Sequence, residues 1–331
     1  MTINEIAELA GVSRATVSRY LNHGYISEEK AERVKKVIAQ TGYVPSTQAQ
    51  QLRTKKTCLI GVILPKINSE SISRIVAGIS LVLSERGYHL LLANTDNDEK
   101  KELEYLQLFQ DNRVDGIILV GTIFTKEHEK LMKELPIPIV VVGQHVEGYV
   151  SIYHDDLGAA EAVTDQMVAA GGKNFGMIGA TSRDVAVGQE RRDGFLKSLK
   201  KAGIKVEKDG IREAAFTSES GYLMAKDLME KNPQIDSLFC ATDSMAVGAM
   251  EYLKERGKKI PQDVQLMGFG DSKLGKVAEP KLTTVHLSYK TSGEDAAKII
   301  LELLDHKNET VRELKLGYRI VEGGTLRTSL V

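Results

Sequence analysis

Two periodicities divide this chain. Over the first forty-odd residues apolar positions recur three and four apart, while from Cys58 onward short apolar runs alternate with amphipathic stretches. In the first region, Thr2 followed by Glu5 has the spacing of a capping box, and Ile6 and Ala10 then fall on one helical face. Gly11 supplies a turn and Val12 plugs the gap beside it. Ser13 is placed to cap a second helix whose inward face is Val17 with Tyr20 or Leu21. Ser27 opens a third helix to about Thr41, with Ala31, Val34 and Ile38 inward and Gly42 ending it. The compact turn His23-Gly24-Tyr25-Ile26 closes a three-helix bundle of helix-turn-helix form. Residues 44–56 read as a linker holding one short helix, from about Thr47 to Arg53.

From Cys58 the pattern predicts strands at Leu59–Leu64, Tyr88–Ala93, Gly116–Val120 and Ile139–Val142. Between them lies a helix with Ile72, Ile75, Val76, Ile79, Val82 and Leu83 at 3.6-residue spacing, then helices near Lys100–Asp111 and Lys126–Leu135. A second round starts after Asp155-Asp156, with a helix to about Ala170. Strands follow at Phe175–Gly179, Leu238–Ala241 and Val264–Gly268, and helices at Glu190–Ala202 and Ser244–Arg256. Such alternation makes doubly wound parallel sheets, and two similar rounds make two lobes with a cleft between them. The expected fold is therefore an all-α head on an α/β body.

Charge sharpens this division. Residues 1–56 carry nine Lys or Arg against five Glu, an excess of four positive charges on a chain whose net charge is −1. A basic head on a mildly acidic body is the footprint of a protein that touches phosphate only with its head. Cys58 and Cys240 lie in separate apolar runs without metal-ligand spacing, which predicts free thiols and a cytoplasmic protein. No leader pattern opens the chain and no apolar run is long enough to span a bilayer, so no membrane partner is expected.

The outward face of the second helix, Arg14, Ala15, Ser18, Arg19 and Asn22, carries arginine and short polar groups suited to base edges and phosphates. With Ser13 and Thr16 it forms the expected DNA-reading set. The same pattern also fits a plain helical hairpin; small Ala7 and Gly11 at the point of closest approach favour the DNA reading. In the linker Leu52 is the one sizeable apolar residue, and a hinge that folds only on DNA could push it into a minor-groove step.

These stretches carry a resemblance. Ala10-Gly11-Val12-Ser13, Thr16-Val17-Ser18-Arg19, Gly42-Tyr43-Val44-Pro45 and Ala49-Gln50-Gln51-Leu52 are similar to the lactose-repressor family, and the similarity continues through the body. The turn before the third helix is one residue shorter than the family's usual one. The resemblance implies a dimeric transcription regulator on a pseudo-palindromic operator, with two lobes of periplasmic-binding-protein type. Arg14 and Ala15 would specify bases, Arg19 would make the adjoining contact, and Leu52 would be the minor-groove lever. It further implies a reading domain over residues 1–45, a hinge over 46–57 and an effector-binding and dimerisation domain over 58–331. The chain would cross between lobes three times, near Asp155, Ser288 and Leu316. The first lobe would then hold about 58–155 and 289–317, and the second about 156–288 and 318–331. A helix at Gly293–Leu304 would return to the first lobe and Arg319–Thr325 would add a strand to the second.

Loops after the strands should supply effector contacts. Lys66 and Ser69, at a helix start, could hold sugar hydroxyls or a phosphate, although Ser69 or Ser71 could equally be capping residues. Arg191 matches the family's Arg-x-x-Gly, a cleft arginine that grips the effector. Thr242 stands where sugar- and purine-reading members often carry Asn, and Asp243 beside it reads as a helix cap. In Gly268-Phe269-Gly270-Asp271 the family's effector-binding Asp is replaced by Gly270; Asp271 lies one place along, and Phe269 offers a stacking face.

Within the family, Asp155-Asp156-x-Gly158-Ala159, Asp184-Val185 with Gly188, and Cys240-Ala241-Thr242-Asp243 resemble the trehalose-operon repressors. That implies trehalose 6-phosphate or a related disaccharide as effector, with Lys66 near the phosphate and sucrose-type sugars as the next choice. The rival readings are a sugar-binding transport or chemoreceptor protein, which shares the two-lobed body, and a nucleotide-using enzyme. No nucleotide-binding glycine loop, metal-ligand cluster or nucleophile-base set is present, so neither catalysis nor a cofactor is expected. His145, His154 and His286 are scattered singly and read as packing or surface residues.

Overall fold

The structure is a computed structural model that describes residues 1–22, 24–43, 56–207, 209–305 and 312–328. It divides into two units, Met1–Thr57 and Cys58–Val331. The expected hinge helix and its Leu52 lie outside the described residues.

Among the described residues the head holds three helices, α1 (Ile3–Leu9), α2 (Arg14–Leu21) and α3 (Glu28–Thr41). Local bonds start and stop them. Glu5 N donates to Thr2 Oγ1 (3.4 Å) and Thr2 N to Glu5 Oε2 (2.8 Å), completing the capping box. Thr16 N donates to Ser13 Oγ at 3.2 Å. Gly11 takes φ +60°, which lets the chain turn sharply into α2. Ile6, Ala7, Ala10, Val17 and Val34 form the core, flanked by half-buried Tyr20 and Leu21.

The body is built on two six-stranded sheets. The first contains β1 (Leu59–Leu64), β2 (His89–Asn94), β3 (Gly116–Val120), β4 (Ile139–Val142), β5 (Val150–His154) and β11 (Glu313–Leu316), in the order β11-β5-β4-β3-β1-β2. The second contains β6 (Phe175–Gly179), β7 (Ile211–Glu213), β8 (Ser237–Cys240), β9 (Gln265–Phe269), β10 (Thr284–Leu287) and β12 (Tyr318–Val321), in the order β12-β10-β9-β8-β6-β7. Pairing is parallel except between β10 and β12. Strands β3 and β4 are buried throughout, as strands covered on both faces must be.

The chain changes sheet after His154, after Leu287 and between Leu316 and Tyr318. After the second change the helix Tyr289–Asp305, which begins four residues before the expected start, packs back on the helix Glu70–Glu85. A Cβ on Gly78 would lie 2.1 Å from Lys290 O, and one on Gly293 would lie 2.0 Å from Ile75 O, so these glycines permit the two helices to touch. Strands β5, β7, β10 and β11 and the helix Ser218–Lys231 were not expected from the sequence. Strands β7 and β11 lie near or at sheet edges as short, largely polar segments without an apolar run. Cys58 and Cys240 are free thiols, and among the described residues no helix is long and apolar enough to cross a membrane.

Candidate functional site

Two separate sites emerge, one in each unit. On the head, Arg14, Ala15 and Arg19 are exposed on α2, and Thr16 and Ser18 are partly so. Arg14 and Arg19 make no ion pair among the described residues, whereas Arg33 and Lys35 on α3 pair with Glu29 (3.6 Å) and Glu32 (3.2 Å). The reading face thus keeps cations available for phosphate and bases. Asn22 Nδ2 donates to the Ser18 carbonyl, and Ser13 Oγ serves as the helix cap, so these two polar groups already have local partners.

In the body, a cavity of about 380 Å³ lies between the two sheets and is walled by loops after their strands. Lys66, Ser69, Arg191, Thr242 and Phe269 all line it. Its floor is Arg191, which is 3% exposed. Arg191 Nε lies 2.7 Å from Asp156 Oδ1, and another of its N–H groups donates to the Ala241 carbonyl. The guanidinium stands 4.4 Å above the Phe269 ring centroid. A buried charge needs this kind of pairing, and the arrangement holds the arginine rigidly at the base of the cleft.

That geometry corrects several expectations. Arg191 covers one face of the Phe269 ring, so the ring reaches the cavity wall with that face taken, and Phe239 lies 5.4 Å away between centroids. Asp271 is not on the cavity wall; its carboxylate meets Lys276 Nζ and His286 Nδ1, each at 2.9 Å. Asp243 is not the cap of its helix, because Thr242 Oγ1 accepts the Met245 N–H at 3.3 Å and fills that role. Asp243 instead accepts from Ser272 N (2.7 Å) and from the Thr284 hydroxyl, joining three segments beneath the cleft. Ser69 stands at the cap position of its helix without a side-chain cap bond, its hydroxyl 2.9 Å from that of Ser71.

The structure adds wall residues that sequence reasoning missed: Asn97, Gln144, His154, Asp156, Asp184 and Tyr289. His154 does pack, edge-on to Tyr289 at 5.2 Å, but it also lines the cavity, and burial pushes its pKa down. Burial pushes the Asp184 carboxyl up to about 6, against the Val187 N–H that bonds it. Glu190, just before Arg191, is pushed up to about 7 by burial and by the nearby Asp156 charge. Asp184 opens a six-residue π-helical turn, Val185–Glu190, a form that often marks functional sites. Asp156 had a signal in the paired Asp at a strand end; Tyr289 had none, since only the tertiary fold brings it to Arg191.

The two lobes also grip each other across the cleft mouth. Arg74 donates to the carbonyls of Gly270 (2.9 Å) and Asp271 (2.7 Å), held by Glu70 at 2.6 Å, and Glu70 accepts Lys273 N at 3.0 Å. Gly270, at φ +135°, presents its carbonyl in a conformation that L side chains rarely adopt. Arg183 pairs with Glu99 at 2.8 Å on another side.

Residues 2–46 match the family described as bacterial regulatory proteins, lacI family, and residues 164–326 match the periplasmic binding protein-like domain. The chain is 29% identical over 305 residues to the sucrose operon repressor of Staphylococcus xylosus, covering 92% of this chain and 94% of that one. It is 30% identical over 324 residues to the HTH-type transcriptional regulator RegA of Clostridium saccharobutylicum, covering 97% and 98%. Among solved structures, a lac repressor dimer bound to operator and an anti-inducer superposes with TM-score 0.90 at 23% identity, covering 98% of each chain.

Proposed function

The chain belongs to the lacI family of bacterial regulatory proteins and is a DNA-binding transcriptional regulator, not an enzyme; from that premise we propose that it represses a carbohydrate-utilisation operon under control of a sugar held in the cleft. The supporting observation is the cavity itself, where hydroxyls, amides and carboxylates surround a rigid, buried Arg191–Asp156 pair. Such a wall suits a hydroxyl-rich ligand that both donates and accepts hydrogen bonds. The effector is a small carbohydrate, free or phosphorylated. Sucrose enters through the name of a relative, and trehalose 6-phosphate through the sequence resemblance.

On DNA, a homodimer places two α2 helices on half-sites of a pseudo-palindrome, as two-fold symmetry requires. Arg14 and Ala15 read base edges, Ser13, Thr16, Ser18, Arg19 and Asn22 support them, and Leu52 enters a minor-groove step. The sugar shifts operator affinity only by its differential binding to the two lobe arrangements. Lys66, Ser69, Arg191 and Thr242 contact it directly, whereas Phe269 acts by holding Arg191 and Asp271 through the loop it fixes.

The test is fluorescence anisotropy of the full chain on labelled fragments of its own upstream region, with and without sucrose, trehalose and trehalose 6-phosphate. The reading expects one fragment bound specifically and its affinity changed by one of these ligands. Binding to no fragment overturns the operator role, and specific binding indifferent to every sugar overturns the carbohydrate role.

A further inference from the structure

The cleft does not end at the chamber above Arg191. A second chamber of about 310 Å³ adjoins it, and the two share Asn97, Thr122, Asp184 and Phe216 as lining residues. Both lobes build it. Asn97, Thr122 and Ile123 come from loops after β2 and β3, while Thr181, Asp184 and residues 213–216 come from the ends of β6 and β7 and the loops that follow. These are the strand C-termini where a doubly wound sheet presents ligand groups. The Arg183–Glu99 pair ties the lobes together two residues along the chain from Thr181 and Asn97.

The chemistry of this chamber differs from that of the first. Its ionisable lining residues are Asp184 and Glu213, both acidic, and no Lys or Arg lines it among the described residues. Desolvating an anion beside two carboxylates without a cation is costly, whereas hydroxyl groups can donate to them. Thr122 and Thr181 add hydroxyls, and half-buried Phe216, at the shared wall, supplies an aromatic surface of the kind that packs against sugar rings. Neither chamber alone much exceeds the lower end of the roughly 300–1,000 Å³ typical of small-ligand sites, but together they reach well into it.

We propose that the second chamber is a subsite for the second ring of an uncharged two-ring carbohydrate whose first ring lies over Arg191. This deepens the carbohydrate reading above and rests on it. The burial that pushes the Asp184 carboxyl up to about 6 also makes a new hydrogen-bond donor there favourable. A ligand filling both chambers touches both lobes twice, so its length, and not only its stereochemistry, is read by lobe closure.

The experiment is isothermal titration calorimetry of the full chain with sucrose and trehalose and with their component hexoses, glucose and fructose. It is repeated on Ala215→Trp and Ile123→Trp, which fill the second chamber from opposite lobes at positions that do not line the first. The expected result is a disaccharide bound about tenfold or more tighter than either hexose, the worth of two or so extra hydrogen bonds. In both Trp variants that ratio falls towards one, a change that a general loss of folding does not produce because it lowers both affinities alike. A hexose bound as tightly as its disaccharide, or a ratio that survives both substitutions, overturns the subsite. Binding of neither disaccharides nor hexoses overturns the subsite for an uncharged ligand, and the carbohydrate reading itself falls if trehalose 6-phosphate fails to bind as well.

Discussion

The reading head and the effector cleft solve the problem of placing polar groups in opposite ways. In the head, the polar side chains that cap α1 and α2 bond partners a few residues away: Thr2 with Glu5, Ser13 with Thr16, Asn22 with Ser18. In the cleft, Arg191 is held by Asp156, 35 residues away, and by the Ala241 carbonyl, 50 away, while Arg74 reaches 196 residues to Gly270. Local bonds make a small unit whose outer face can vary without disturbing its fold. Long-range bonds make a site whose contacts report on how two lobes sit together, which is what a ligand-controlled switch needs. Substitutions can separate the two.

The largest effect is expected from Val17→Asp. Val17 is fully buried in a core of few side chains, and a carboxylate there costs roughly 5 kcal/mol, more than so small a unit can absorb. Operator binding should vanish while calorimetric sugar binding persists; loss of both would show that the two units do not fold independently. Next is Arg191→Met, which strands Asp156 in the interior at a cost of about 3–5 kcal/mol. Here sugar binding should be lost and the melting temperature of the body lowered, with operator binding retained but unresponsive to sugar.

A smaller effect comes from pH. Asp184 has its folded pKa raised to about 6 from an ordinary 3.8, so the stability linked to it is fully present below about pH 4 and lost as pH rises through 6. At about 1.4 kcal/mol per unit the whole change is about 3 kcal/mol. Asp184→Asn should flatten the corresponding part of the denaturation profile of the body, and an unchanged profile would place Asp184 in a more solvated setting. Smallest is Ser13→Ala, the loss of one helix cap, worth about 1 kcal/mol in the head alone. Its mark is weaker operator binding with sugar affinity untouched.

The same contrast explains what could be read from the chain. Thr2, Gly11, Ser13 and Gly42 announce their roles because capping and positive φ depend on residue type and near neighbours. The buried strands β1, β3 and β4 are legible as apolar runs. Strands β7 and β11 are short and largely polar, so their assignment depends on a partner strand that the local pattern cannot reveal. In the cleft, strand-end loops point to Lys66, Ser69 and Thr242, since strand ends are visible as the ends of apolar runs, whereas Arg191 stands out only through its match to the family's Arg-x-x-Gly. The role of Asp243 was misread because it is decided by partners distant in sequence, Thr284 and Ser272, and the contact between Phe269 and Arg191 is likewise invisible to a local pattern. Tyr289 and the second chamber had no local signature at all.

The central claim is that sugar held in the cleft and operator held by the head bias one another. Linkage requires the coupling to be reciprocal, so the direct measurement is the dissociation constant of the sugar with and without saturating operator. The account predicts a change of about fivefold or more, equal to the factor by which the sugar alters operator affinity. An identical sugar affinity in the two conditions would contradict it.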